Sequence, residues 1–171
     1  MSVLKRALFV GRFQPFHRGH EYAIEYILER EDEIIIAIGS AQENYTYHNP
    51  LTCGERIEII WYFLKKKNLV DRCIICGVPD IHNNILWPRH VMALVPRFDV
   101  VYSGNSLVVT LFESHNIPVH VIKEINRDRY SGTVIRNLIV EGKEWRHLVP
   151  DEILPLLEKM KFEERVKKLK K

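Results

Sequence analysis

The segment Gly11–His20, GRFQPFHRGH, combines residue types that bind phosphate groups. Its glycines let a ligand approach the backbone, and unpaired N–H groups at a helix start favour anions. His17 and His20 are three residues apart, so both imidazoles lie on one face once a helix has begun. Histidines at this spacing also bind zinc or have an ordinary structural role, but no third Cys, Asp or Glu ligand stands in obvious register. Taken alone, the segment leaves all three roles open.

A second segment of similar design, Ser131–Arg136 (SGTVIR), lies towards the other end of the chain. Ser131 or Thr133 can cap a helix that begins here, which is a purely structural role. The same hydroxyls and N–H groups can also hold phosphate oxygens, and Arg136 adds a planar charged fork one turn into the helix. Together the two segments could flank one polyphosphate.

Short apolar runs alternate with stretches of helical periodicity along the chain. The runs that predict strands are Ala7–Val10, Ile34–Ile38, Cys73–Val78, Phe98–Tyr102 and Val119–Ile122. Alternation of this kind predicts an α/β fold, a Rossmann-like doubly wound parallel sheet whose ligands gather at the carboxyl ends of the strands. We expect a single domain, residues 1–171, with a core over about 5–145 and a C-terminal helical appendage over about 150–171.

Two helical stripes are visible between the first strands. The first consists of Ala23, Ile24, Ile27 and Leu28, and the second of Ile57, Ile60, Trp61 and Leu64. Thr52 and Glu55 have the spacing of a capping box and predict the start of the second helix.

Composition excludes several classes of protein. A net charge of +3, concentrated in the lysine-rich terminal stretch, is too weak to indicate a nucleic-acid partner. No signal peptide and no membrane-spanning run are visible, so we expect a cytoplasmic protein without a membrane partner. Cys73 and Cys76 have a C-x-x-C spacing, but in a strand an odd separation sends them to opposite faces, which argues against a redox or zinc motif.

The two segments together resemble a known superfamily. His17–His20 matches the H-x-G-H signature of the nucleotidyltransferases, and Ser131–Arg136 matches its S-x-T-x-x-R partner. The chain resembles the archaeal type of nicotinamide-nucleotide adenylyltransferase over nearly its whole length. The segments that carry this resemblance are GRFQPFHRGH, IGSAQ, NPLTCGERI, YSGN and YSGTVIR. That resemblance implies a Rossmann-like domain that uses ATP with Mg²⁺, or another divalent cation arriving with ATP, and that assembles as a homo-oligomer, often a hexamer.

The resemblance also implies roles for individual residues. His17, His20 and Arg136 would be catalytic, and the ATP phosphates would be held by Gly11, Arg12, Phe13, Gly19, Ser131, Gly132 and Thr133. Asn84 and Trp87 match the nicotinamide site, although an indole before a helix is also typical of a core or an interface. Arg56 is a weaker site residue, since capping and helix-surface pairing explain it nearly as well. No protein side chain is expected to hold the metal.

The implied activity joins nicotinamide mononucleotide (NMN) to the AMP moiety of ATP, giving NAD and pyrophosphate. Catalysis would come from charge stabilisation, and the two histidines are expected to matter little for stability. Another small nucleotidyltransferase, acting on phosphopantetheine or an alcohol phosphate, carries the same signatures. A non-catalytic sensor that binds NAD is a third reading, against which the intact His17, His20 and Arg136 argue.

Overall fold

A computed structural model describes residues 3–123, 126 and 128–171 of the chain. Within them, five strands form one parallel sheet in the order β3-β2-β1-β4-β5. The strands are β1 (Arg6–Gly11), β2 (Glu33–Ile38), β3 (Cys73–Gly77), β4 (Val100–Ser103) and β5 (Val119–Val121). The predicted α/β class and parallel sheet are confirmed, with β4 beginning later than its apolar run suggested.

Helices connect the strands and follow the sheet. They are α1 (Arg18–Leu28), α2 (Cys53–Lys66), α3 (Trp87–Leu94), α4 (Ser106–Glu113), α5 (Gly132–Val140), α6 (Leu154–Lys159) and α7 (Phe162–Lys170). Short 3-10 turns occupy Val70–Arg72, Arg146–Leu148 and Asp151–Ile153. In the described part of the chain, no helix is long and apolar enough to cross a bilayer.

Both faces of the sheet are covered, as its unbroken apolar strands require. On one face, side chains of β1 and β2 such as Phe9 and Ile36 pack with apolar residues of α1, α2, α5, α6 and α7. On the other face, Leu8 and Ile35 pack with Val91 of α3 and Phe112 of α4. This two-sided burial makes the sheet a rigid base for the loops at its carboxyl edge.

The apolar stripe predicted for α1 matches the buried residues of that helix, whereas the stripe predicted for α2 matches only in part. In α1, all of Ala23, Ile24, Ile27 and Leu28 are buried, as expected. In α2 the prediction was partly wrong: its buried residues are Arg56, Ile59, Ile60, Phe63 and Leu64, whereas Ile57 and Trp61 are exposed. The inward face is rotated because Arg56, a charged residue, occupies a position on it.

Cys73 and Cys76 lie on opposite faces of the sheet, as their odd separation within a strand predicts. Cys73 packs with the apolar cluster on one face of the sheet and Cys76 with the cluster on the other. Burial raises the pKa of the Cys73 thiol to about 12, so this thiol is protonated and unreactive near neutral pH.

The C-terminal helices pack against the domain. Leu157, Phe162 and Val166 are buried in the same cluster as α1 and α2. Arg165 of α7 makes a two-pronged ion pair with Glu55 of α2, at 2.7 and 2.9 Å. Glu55 also closes the predicted capping box with Thr52, so α7 is fastened to the start of α2.

Candidate active site

A pocket of about 580 Å³ opens at the carboxyl ends of the strands. It is lined by Gly11 at the end of β1, by Gly39 and Ser40 after β2, and by Ser103 at the end of β4. Strands β1 and β4 are neighbours although they are not consecutive, so the loops that follow them lead in opposite directions. A crevice forms at such a switch point, where ligands of open α/β sheets bind.

Two groups of side chains contribute to the lining of this pocket. We call Arg12, His17, His20 and Arg136 the basic end. We call Asp80, His82, Asn84 and Trp87 the loop end. The lining also includes the remaining residues of the two predicted phosphate segments: Gly11, Phe13, Gly19, Ser131, Gly132 and Thr133. The structure therefore gathers both segments and the residues proposed for nicotinamide around one cavity.

The two histidines are held by the backbone at the start of α1. His17 caps the helix, because its Nδ1 accepts a hydrogen bond from the Gly19 N–H at 3.1 Å. The His17 N–H donates in turn to Nδ1 of His20 at 3.2 Å, which completes a capping box made of imidazoles. The rings stack with centroids 3.7 Å apart. Because each Nδ1 is an acceptor, each ring proton belongs on Nε2, the atom able to donate to a ligand.

Glycine and an unusual backbone angle keep the space beside these rings open. A Cβ on Gly11 would lie 3.5 Å from Nε2 of His20 and 3.0 Å from the Phe13 ring. Phe13 itself has a φ of 54°, a left-handed conformation that is uncommon outside glycine. Its ring packs 4.4 Å from the His20 ring, centroid to centroid, which fixes that imidazole from the side.

The second segment packs directly against the first. Ser131 caps α5 through a hydrogen bond that its side chain accepts from the Val134 N–H. A Cβ on Gly132 would lie 2.5 Å from the carbonyl oxygen of Gln14, so a side chain larger than hydrogen cannot be accommodated without a backbone shift. Glycine at 132 is what allows the start of α5 to touch the loop after β1.

Arg136 crosses this contact as a buried cation with no carboxylate partner among the described residues. Only 1% of the residue is exposed. Its Nη1 donates to the Gln14 carbonyl at 2.6 Å and its Nη2 to the Thr133 hydroxyl at 3.2 Å. Nε has no hydrogen-bond partner among the described residues. Burial, with a smaller contribution from Arg12, lowers the pKa of the guanidinium to about 10, which still leaves it charged near neutral pH.

The loop end is built from more exposed side chains. Asp80 is anchored by Ser40, whose hydroxyl donates to Asp80 Oδ2 at 2.6 Å. Asn84 is exposed, and its main-chain carbonyl oxygen accepts a hydrogen bond from the main-chain N–H of Trp87 at the start of α3. The Trp87 indole is half-buried and meets Phe112 edge to face at 5.5 Å. One side of this indole therefore belongs to the core while the residue also lines the pocket.

Arg56 lies outside the pocket lining. It is fully buried, and its guanidinium donates to main-chain carbonyl oxygens. Thr52 and Glu55 cap α2, and a fully buried guanidinium makes no pair on the helix surface. Neither capping nor helix-surface pairing therefore describes the role of this side chain.

Several lining residues were not singled out from the sequence. Ser103 comes from the end of β4 and Asn105 from the loop that follows it, where Asn105 caps α4. Gln14 makes paired hydrogen bonds with the backbone of Leu51, both at 2.9 Å. The topological rule that ligands gather at the switch point would have directed attention to the loop after β4. Nothing in the sequence indicated the pairing of Gln14.

Comparisons with known proteins extend this picture. A model of the cytidylyltransferase-like family matches residues 8–138. The chain is similar to the nicotinamide-nucleotide adenylyltransferase of Thermococcus onnurineus, with 44% identity over 96% of this chain and 88% of that protein. It is similar also to the enzyme of that name from Methanococcus aeolicus, with 46% identity over 96% of this chain and 94% of that one.

Solved structures share the fold. A bifunctional NMN adenylyltransferase/ADP ribose pyrophosphatase from Francisella tularensis, crystallised with AMP and a manganese ion, superimposes with a TM-score of 0.77 at 19% identity. The match covers 98% of this chain and 52% of that one. A nicotinate-nucleotide adenylyltransferase structure from Vibrio parahaemolyticus, described there as putative, gives a TM-score of 0.63 at 17% identity.

Proposed function

Because the chain belongs to the cytidylyltransferase-like family and to the nicotinamide-nucleotide adenylyltransferases, we propose that its pocket transfers AMP from ATP to NMN, giving NAD and pyrophosphate. The observation that carries the proposal is the buried Arg136, a cation paired with carbonyl and hydroxyl oxygens at a cavity that Trp87 also lines. Unlike Arg56, whose guanidinium donors all reach carbonyl oxygens, Arg136 lines the cavity and has an Nε without a hydrogen-bond partner among the described residues, so an anion bound there would satisfy it. The ATP phosphates supply that anion.

The reaction needs little help with protons. An oxygen of the NMN 5′-phosphate forms a bond to the α-phosphorus of ATP while the bond from that phosphorus to the bridging β-phosphate oxygen breaks. The attacking phosphate is already ionised near neutral pH, so no strong general base is required. Catalysis then rests on positioning the two substrates in line and on stabilising charge that moves onto pyrophosphate.

The basic end is suited to that charge. We assign the Nε2–H groups of His17 and His20 as donors to the phosphate oxygens from the start of α1. Arg136 and the start of α5, with Ser131, Gly132 and Thr133, act from the other side, where helix N–H groups favour anions. Arg12, which is exposed and follows β1, adds a second cation at the same end. Gly11, Phe13 and Gly19 keep the backbone and rings in place.

The residues fit a divalent cation that arrives with ATP. Among the described residues, no group of three or more His, Cys, Asp or Glu side chains could hold a metal, and Asp80 is the one carboxylate in the pocket lining. Mg²⁺, which keeps several waters and binds through phosphates, suits a site of this kind. When bound, it would offset charge on the triphosphate.

The loop end selects the acceptor in this proposal. An indole face attracts a cationic ring, and the pyridinium of NMN is such a ring. Trp87 would stack on it, with Asn84 beside the carboxamide. We also propose, from the family resemblance, that the chain acts as a cytoplasmic homo-oligomer, with a hexamer as the expected assembly.

One assay tests the activity. The protein is incubated with ATP and Mg²⁺ and, separately, with NMN, nicotinic acid mononucleotide or phosphopantetheine, and pyrophosphate and the adenylylated product are measured. We expect NAD and pyrophosphate in equal amounts with NMN. Turnover with phosphopantetheine alone would identify another nucleotidyltransferase, and binding of NAD without any turnover would identify a sensor.

A further inference from the structure

Arg56 is a fully buried arginine whose charge is surrounded by backbone oxygens. Nη1 donates to the carbonyls of Arg12 at 3.0 Å and Gly39 at 2.9 Å, and Nη2 donates to that of Ser40 at 3.0 Å. Longer contacts reach Thr52, Ala41 and Glu43. All of these acceptors are main-chain carbonyl oxygens, so the side chain acts on the path of the backbone.

The three shortest bonds join the ends of two neighbouring strands. Arg12 directly follows β1, and Gly39 and Ser40 directly follow β2. The Gly39 N–H also donates to the Gly11 carbonyl at 2.9 Å, which is the last link between these strands before their loops diverge. Beyond that link, the guanidinium of Arg56 holds the two chain segments at a fixed separation.

Each segment leads to a different part of the pocket. From Arg12 the chain continues to His17 and His20, at the basic end. From Ser40 the connection runs to the loop end, because the Ser40 N–H and hydroxyl both donate to the carboxylate of Asp80. The backbone held by Arg56 is therefore common to both ends of the cavity, although Arg56 does not itself line it.

We infer that Arg56 is a positioning residue that sets the distance between the two bound substrates, an inference that rests on the proposed function. Each substrate keeps its own contacts when the separation of the loops changes, but the attacking phosphate and the α-phosphorus lose their alignment. Misplacement by about 1 Å costs on the order of a hundredfold in rate. Substitution of Arg56 should therefore lower kcat and leave the affinity for each substrate alone nearly unchanged.

Lysine is the sharpest replacement for Arg56. It keeps the positive charge and much of the length, but its single ammonium cannot span the carbonyls of Arg12, Gly39 and Ser40 in the way that a planar fork does. Arg72 provides a control away from the pocket: it is more exposed than Arg56, but its guanidinium also donates to three carbonyl oxygens, those of Leu28, Glu31 and Asp32. These lie before β2, at the opposite edge of the sheet from the pocket.

The experiment compares Arg56→Lys with Arg72→Lys, each assayed well below its own Tm, and measures kcat and the Kd of ATP and NMN separately. We expect kcat to fall ~10- to 100-fold in Arg56→Lys while each Kd changes less than ~3-fold. In Arg72→Lys we expect kcat within ~2-fold of the wild type whatever happens to its Tm. Equal kcat in the two variants, or a loss in Arg56→Lys confined to one Kd, would overturn the inference.

A second variant covers the case in which a buried lysine prevents folding. Arg56→Gln removes the buried charge and retains amide donors, and we expect the same selective loss of kcat in the folded protein. If neither variant folds, Arg56 is a folding determinant and the positioning role is overturned. If the wild-type protein does not adenylylate NMN, the proposed function itself is refuted. The two failures are therefore distinguishable.

Discussion

The two ends of the pocket are built in different ways. At the basic end, His17, His20 and Arg136 are each held by hydrogen bonds to the backbone or to a neighbouring side chain. At the loop end, Asp80 and Asn84 are exposed residues of an irregular segment, and Trp87 has its ring only partly in the core. The first end has donors fixed at two helix starts, whereas the second combines an anchored carboxylate, Asp80, with exposed or half-buried side chains.

This difference matches the role that the proposed function gives to each end. Stabilising charge in a transition state requires donors that are already in place, because reorganisation at the moment of reaction costs rate. Recognising an acceptor requires shape and stacking, which a loop can vary without disturbing the chemistry. Substitutions at the basic end should therefore act on kcat, and substitutions at the loop end on the affinity for one substrate.

The largest effect is expected for His20→Ala. Loss of a preorganised donor should lower kcat by ~10²–10³. The capping box adds a second effect, since the His17 N–H loses its acceptor, and one such hydrogen bond contributes about 0.5–1.5 kcal/mol to the free energy of unfolding. Steady-state kinetics with thermal unfolding measures both. A folded variant with near-normal kcat would remove His20 from the charge-stabilising donors.

Arg136→Lys keeps the charge and tests the geometry of the fork. Lysine cannot donate at once to Gln14 and Thr133 and still face a phosphate, so we expect the kcat/KM for ATP to fall ~10- to 100-fold, the equivalent of one charged hydrogen bond. The kcat/KM of Arg72→Lys is the control. Full activity in Arg136→Lys would mean that only the charge matters at the basic end.

Trp87→Ala should act on one substrate. Loss of stacking worth about 1–3 kcal/mol corresponds to roughly tenfold to hundredfold weaker NMN binding, with ATP binding nearly unchanged. Trp87→Phe is the control, because it retains an aromatic face and the contact with Phe112. If Trp87 is instead a core residue, alanine would cost about 3–5 kcal/mol of stability and weaken both substrates equally, which titration calorimetry with a melting curve detects.

The smallest effect concerns pH. The folded-state pKa of Arg136 is lowered to about 10, so its cationic form is disfavoured by folding. This cost to stability is fully present below about pH 10 and is relieved as pH rises from there towards the ordinary arginine value. Between about pH 7.5 and about pH 9 the guanidinium stays largely charged, and the Kd of ATP should change less than about twofold. A steep loss of ATP affinity across that interval would show that another group controls binding.

The sequence predicted the sheet and the position of the two segments at helix starts because these features are local. Apolar runs such as Ile34–Ile38 identify strands, and each segment stands directly before a stretch of helical character. The role of the histidines in the cap was not predicted, because the acceptor atom on each ring becomes evident only from the positions of the backbone N–H groups. The expectation that they matter little for stability changes for that reason.

Contacts between residues far apart in the chain were also not predicted from the sequence. The sequence does not distinguish a buried arginine from an exposed one. Arg56 was therefore left out of the stripe predicted to be buried in α2, whose buried residues are Arg56, Ile59, Ile60, Phe63 and Leu64. The lysine-rich tail is typical of a solvated helix end, yet the Lys170 ammonium lies 4.3 Å from the centroid of the Tyr47 ring. Contacts of this kind join residues far apart in the chain, and periodicity carries no information about them.

The imidazole cap also has a consequence for how this protein can change. In many enzymes the reacting groups lower stability, so variants selected for heat resistance lose activity. Here the two rings proposed to contact the substrate also close the first helix, and a library varied at positions 17 and 20 and selected for heat resistance alone would still favour residues able to cap. Asparagine, aspartate or serine could restore the cap but not the stacked pair of Nε2 donors. At these two positions a change to another capping residue can therefore preserve stability while it removes the donors proposed for turnover.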